Sequence, residues 1–231
     1  MAAINNNKAD YEKALNICLP AARNLDRQAN EMLNKTKSLL KQDITAPVYV
    51  LFGANNSGGT ATKEGLSLGL EVLCRFAETK EEFKEILLVF IAHEVVHVYQ
   101  SQMQLYSRTL KSDKPTLLKR SLVEGVADFI SFLALGEVTK PEIERHEYGL
   151  KNESKTWLSF KQSMHTTELG DWMYKKGLDN KPNDMGYWIG KRIAEAYYNN
   201  AKDKTKALEE LLLLKDPVSI LSVSGYDPTK N

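Results

Sequence analysis

The sequence predicts an α+β fold that is mostly helical, and three observations carry that reading. Apolar residues recur at helical spacing over most of the chain, in 9–42, 81–92, 122–133 and four segments after Lys140. Strand patterns are confined to the stretch between Pro47 and Glu71. No repeat or low-complexity linker separates the segments, so residues 1–231 read as a single domain. At 231 residues with 42% apolar content, the chain can bury a sizeable core. An N-terminal lobe, about 1–105, holds the small sheet, and a helical C-terminal lobe, about 116–231, follows; a cleft between them would hold substrate.

Taken in order, 9–42 carries Leu and Ala at helical spacing. Pro20, which lacks an N–H and fixes φ, divides it into a short and a long helix. Pro47-Val48-Tyr49-Val50-Leu51-Phe52-Gly53 is a continuous apolar run and reads as a buried strand. Residues 55–62 are rich in Asn, Gly, Ser and Thr, a loop signal. Leu66, Leu68 and Leu70 then alternate with Ser67, Gly69 and Glu71 as a second strand. Phe83, Ile86, Leu87, Val89, Phe90 and Ile91 mark a helix apolar enough to be buried. Leu122, Val123, Val126, Phe129, Ile130 and Leu133 mark another, ending near Gly136. The rest reads as helices over 141–148, 150–165, 186–199 and 204–214.

The chemistry is concentrated in His93-Glu94-Val95-Val96-His97. Two imidazoles four residues apart share one face of a helix, so both can aim a ring nitrogen at one metal ion. Glu94, beside the first ligand, is placed to take a proton from an attacking water, the general-base role in metal-assisted hydrolysis. A catalytic zinc generally takes three protein ligands and leaves one position open. The choices after His97 are His146, His165 and the downstream carboxylates. Glu124 and Asp128 stand out: four apart on one helical face, they are acids in a segment otherwise apolar enough to be buried. Peptide hydrolysis also needs a donor to the developing oxyanion. Tyr187, between Gly186 and Gly190 at a helix start, is the choice for that role, with His165 and His146 as competitors.

These residues resemble the gluzincin metallopeptidases, in which the His-Glu-x-x-His helix is followed by a second helix with a Glu ligand and an Asp four residues later. The resemblance implies a zincin-like fold binding Zn2+ through His93, His97 and Glu124, with Glu94 as base and Asp128 holding a ligand histidine by its second ring nitrogen. The 26 residues between His97 and Glu124 imply an enlarged loop at 107–115. In metallopeptidases of this architecture an edge strand pairs with extended substrate; the glycine-bearing strand 66–71 is the expected one. A closer resemblance is to a bacterial family of predicted zinc-dependent proteases, long labelled a domain of unknown function and similar to gliding-motility-type lipoproteins. Its matching pieces are Ser57-Gly58-Gly59-Thr60-Ala61, Gly65 to Glu71, the His-Glu-x-x-His helix, Glu124-Gly125-Val126-Ala127-Asp128 and Gly186-Tyr187-Trp188-Ile189-Gly190.

The reading is therefore a zinc peptidase acting on a peptide or protein substrate. Its rival is a zincin-like binding or regulatory module that keeps the metal without peptidase activity; intact Glu94 argues for the enzyme. Hydrolysis of a non-peptide amide or ester is a third reading, since an activated water attacks many carbonyls. With a net charge of +1 and no basic cluster among aromatics, nothing points to nucleic acid. No apolar run is long enough to span a bilayer. Cys18 and Cys74 are too few for a disulfide framework and read as two buried thiols, a single bridge being the alternative. Met1 to Lys8 is polar and has no signal-peptide core, so the expectation is export if a leader precedes it and cytoplasm otherwise. Oligomeric state has no signal in the sequence.

Overall fold

The computed structural model describes residues 2–43, 46–107, 114–174 and 181–230. It is mostly helical with one small sheet, an α+β arrangement as the periodicities predict. The chain divides into two compact units: Met1–Gln102 with Ala134–Glu137, and Met103–Leu133 with Val138–Asn231.

The first unit opens with α1 (Ala2–Asn6), α2 (Lys8–Lys13), a π turn (Ala14–Cys18) and α3 (Leu19–Ala22), then α4 (Asp26–Leu40). Pro20 does not divide this region as the sequence predicts: it follows the π turn directly, inside a helical run that continues from α2 through Ala22, and the break falls at residues 23–25 before α4. Strands β1 (Val48–Leu51), β2 (Gly59–Thr62) and β3 (Gly65–Gly69) form a sheet of order β1-β3-β2. β1 runs parallel to β3, with Val48 opposite Leu66; β2 runs antiparallel to it, with Gly59 opposite Leu68 and Thr62 opposite Gly65.

Two sequence expectations are corrected here. The strand at 66–71, expected at an edge, is the central strand β3, and Leu66 and Leu68 are buried on it. Part of the expected loop 55–62 is the outer strand β2: its Gly and Thr content resembles a loop, but Thr60 and Thr62 are β-branched and the short turn to β3 supplies pairing partners. β1 is also less covered than a continuous apolar run predicts, with Tyr49 57% exposed. Hydrophobicity alone does not tell an outer strand from an inner one.

Cys18 and Cys74 form a disulfide with Cα atoms 6.0 Å apart, and both are buried, which corrects the expectation of free thiols. A separation of 56 residues hides such a pairing from the sequence. The same region is tied by Tyr11, whose hydroxyl donates to Gly53 O at 2.9 Å, and by Arg75 on Asp10 at 2.8 Å. Glu71 is fully buried because its carboxylate accepts the N–H groups of Gly53 and Asn55, both at 2.9 Å, serving as the acceptor for a turn that has no strand partner there. After α5 (Leu70–Leu73) the chain enters α6 (Lys80–Ser107), the longest helix. A capping box starts it: Thr79 Oγ1 accepts from Glu82 N, and Glu82 Oε2 accepts from Thr79 N.

The second unit is helical: α7 (Leu117–Leu135), α8 (Lys140–Lys151), α9 (Glu153–Ser163), α10 (Met185–Asn200), α11 (Lys204–Leu213) and α12 (Pro217–Ser224). α8 has a capping box at Thr139 and Glu142; Asp203 and Asp216 cap α11 and α12. α12 is absent from the sequence-level reading, although Asp216-Pro217 and Gly225 bracket it as start and stop signals. The enlarged loop expected at 107–115 falls largely on residues 108–113, outside the described residues.

α7 and α10 cross at a pair of glycines. A Cβ on Gly190 would lie 1.8 Å from Ser121 O, and one on Gly125 2.1 Å from Lys191 N. This crossing gives the two glycine motifs their physical reason: it brings the Glu124 helix and the Tyr187 helix into backbone contact. Gly190→Ala is expected to cost about 3 kcal/mol in overpacking, offset by about 1 kcal/mol of helix propensity. The net loss lowers the melting temperature by roughly 4–8 °C. A thermal scan checks it, and an unchanged or higher melting temperature would rule the tight crossing out.

Candidate metal centre

Between Ile91 and Gln100 every residue of α6 is buried except His93 and His97, which are partly open. Over these ten residues only the two imidazoles reach the surface of α6. Their Nε2 atoms lie 3.0 Å apart. His97 Nδ1 lies 2.8 Å from Gln100 Oε1, one turn further along the same face. A proton on Nδ1 donated to that oxygen leaves the lone pair on Nε2, the atom turned toward His93. Two nitrogens held tetrahedrally at zinc distances of about 2.0–2.1 Å sit roughly 3.3 Å apart, so the pair fits one ion with little movement.

Glu94 is buried, with 8% of its surface exposed, and its place is made by the sheet. A Cβ on Gly59 of β2 would lie 2.2 Å from Glu94 Oε1, so the carboxylate occupies the space that any other residue at 59 would fill. The carboxylate therefore sits in a fixed position against β2, one residue from the first imidazole.

In the second unit, α7 carries Glu124, partly open, and Asp128, buried. Tyr174 donates its hydroxyl to Glu124 Oε1 at 2.8 Å. Burial and the Glu124 carboxylate together push that phenol up to about 12, so it remains a donor at neutral pH. The Tyr187 ring stands edge-on to Tyr174 at 6.2 Å, with the Arg145 guanidinium 5.6 Å from the Tyr187 centroid. Burial, then Glu124, Tyr174, Asp184 and Asp128, hold the Tyr187 phenol well above the ordinary tyrosine range. Arg145 Nη2 lies 3.9 Å from Asp128 Oδ2, a charge partner for a buried acid. Burial raises the Asp184 carboxyl, although it accepts the Tyr174 N–H at 2.6 Å.

His93, His97 and Glu124 are a group of side chains that could hold a metal ion. His146 is not part of that group; Trp188 Nε1 donates to its Nδ1 at 3.4 Å. His165 is exposed. Four further residues are given no individual role by the sequence. Gln100 and Gly59 had a signal, the first in its three-residue spacing from His97 and the second in its glycine motif. Tyr174 and Arg145 had none, since no periodicity links 174 to 124 or 145 to 128.

Residues 1–212 match the model of a protein family, DUF5700, described as "putative zinc dependent peptidase". Searches of curated proteins and of solved structures returned no match to the chain.

Proposed function

The chain belongs to this family, and on that premise we propose that it is a zinc-dependent peptidase of zincin-like fold that hydrolyses peptide bonds. The observation that carries the proposal is the convergence of two imidazole nitrogens at 3.0 Å on a helix that also seats a buried glutamate between them. His93, His97 and Glu124 would hold the ion. Zinc bound there would supply a water acidic enough to attack near neutral pH and would polarise the scissile carbonyl.

The chain's own residues do the rest. Glu94 accepts the proton of the attacking water and returns it to the leaving nitrogen; its contact with Gly59 fixes it for both transfers. Gln100 fixes the ring of His97, and Asp128, with Arg145 as its countercharge, is the acid assigned to orienting a ligand. Tyr187, held protonated, donates to the oxyanion that develops on the carbonyl. β2 is the outer strand beside the base, and its far edge pairs with no strand among the described residues. An extended peptide adding to that edge would run its backbone past Glu94. The bridge between Cys18 and Cys74 supports action in an oxidising compartment. No helix among the described residues is long and apolar enough to cross a membrane.

Metal analysis of the purified protein is the first test. About one zinc per chain is expected, falling well below one in His93→Ala and in Glu124→Ala, together with chelator-sensitive cleavage of a peptide library. Full occupancy in Glu124→Ala would remove it from the ligand set.

A further inference from the structure

Tyr174 is 54% exposed, yet it is held at three points. Its hydroxyl donates to Glu124 Oε1 across 50 residues of sequence. Its N–H donates to Asp184 Oδ1. Its ring meets Tyr187 edge-on, at an interplanar angle of 85°. The backbone at Tyr174 has φ +60°, the left-handed region that a bulky aromatic rarely enters. Asp184, which grips it, has φ +58° and stands at the start of α10. Two left-handed residues clamped to each other are a costly way to build a surface turn. What the clamp achieves is the placement of one hydroxyl on one carboxylate oxygen.

We infer that Tyr174 is a positioning residue for Glu124: by occupying one oxygen it makes the carboxylate a single-oxygen ligand with a fixed rotamer. The inference rests on the reading of Glu124 as a metal ligand. A carboxylate free to rotate can chelate through both oxygens and fill the position that a catalytic metal leaves open. A donor on one oxygen prevents that, as outer partners of metal ligands do when they set ligand orientation. Asp184 contributes by holding the backbone that aims the hydroxyl.

The test uses the full chain and two ions, zinc and cobalt(II) as its spectroscopic stand-in. Tyr174→Phe keeps the ring on Tyr187 and removes only the hydroxyl. Zinc affinity, measured by competition with a chromophoric chelator, is expected to fall roughly 10-fold. The visible cobalt absorption should change in position or intensity as the carboxylate binding mode changes. Asp184→Gly tolerates the left-handed backbone and removes the acceptor, so it should move both readouts the same way. It also keeps the test open should the phenylalanine variant fold poorly. A wild-type affinity and an unaltered cobalt spectrum in Tyr174→Phe, even with reduced turnover, would overturn the inference and place the hydroxyl on substrate. A wild-type chain that binds neither ion would instead bring down the metal reading itself, and this inference with it.

Discussion

Glu94→Gln is expected to keep its fold and its zinc while losing peptide hydrolysis by roughly 10²- to 10⁴-fold, the range that a positioned general base contributes. The amide has the shape of the carboxylate and fits the same space against Gly59, so the helix and sheet have no reason to move. It cannot take a proton from water. The loss should fall on kcat, because proton removal belongs to the transition state and not to peptide binding. Glu94→Asp is the informative companion: it keeps a base but withdraws it from the wall by one methylene, so an intermediate rate is expected. Turnover of a quenched peptide, zinc content and melting temperature, taken on the same preparations, check all three parts. Wild-type turnover in the glutamine variant would end the general-base assignment. No turnover in the wild type, with zinc in place, would favour a metal-holding binding module.

Removing the Cys18–Cys74 bridge should have the largest effect on stability. Closing a loop over 56 residues removes chain entropy from the unfolded state worth about 4 kcal/mol by the loop-closure relation. For a chain of this size the melting temperature should fall roughly 8–16 °C. Cys18→Ala with Cys74→Ala is the suitable pair, since both sites are buried and serine would leave an unsatisfied hydroxyl. Denaturant unfolding of the wild type with and without reductant gives a second measurement, and the reduced chain should match the double variant. Equal unfolding midpoints for oxidised and reduced protein would show that the bridge contributes nothing. Zinc content at room temperature should be unaffected, because Tyr11, Arg75 and Glu71 still tie the region together.

What the sequence revealed and what it hid divide along the range of the interaction. The long helices were readable because periodicity is local: α6 and α7 announce themselves through Phe83, Leu87 and Ile91, and through Leu122, Val126 and Phe129, at three- and four-residue intervals. The His pair and its adjacent glutamate are readable for the same reason; the start signals at Thr79 and Asp216 are equally local, although the reading above does not use them. Sheet order was not, because whether Gly59–Thr62 or Gly65–Gly69 lies outermost depends on pairing that neither strand's composition specifies. The bridge, the hydroxyl of Tyr174 on Glu124 and the guanidinium of Arg145 near Asp128 join distant positions, and none repeats at an interval that a single sequence displays.

The space at Gly59 has a consequence for reading relatives of this chain. Because Glu94 Oε1 lies where a Cβ would be, positions 59 and 94 are expected to vary together. A lineage that lost hydrolysis while keeping the fold would be released from the need for glycine at 59 as soon as it shortened the side chain at 94. A lineage that kept the base would not. On the proposed reading of Glu94 as the base, glycine at the position of Gly59, itself without any chemistry, is the residue expected in relatives that keep hydrolysis.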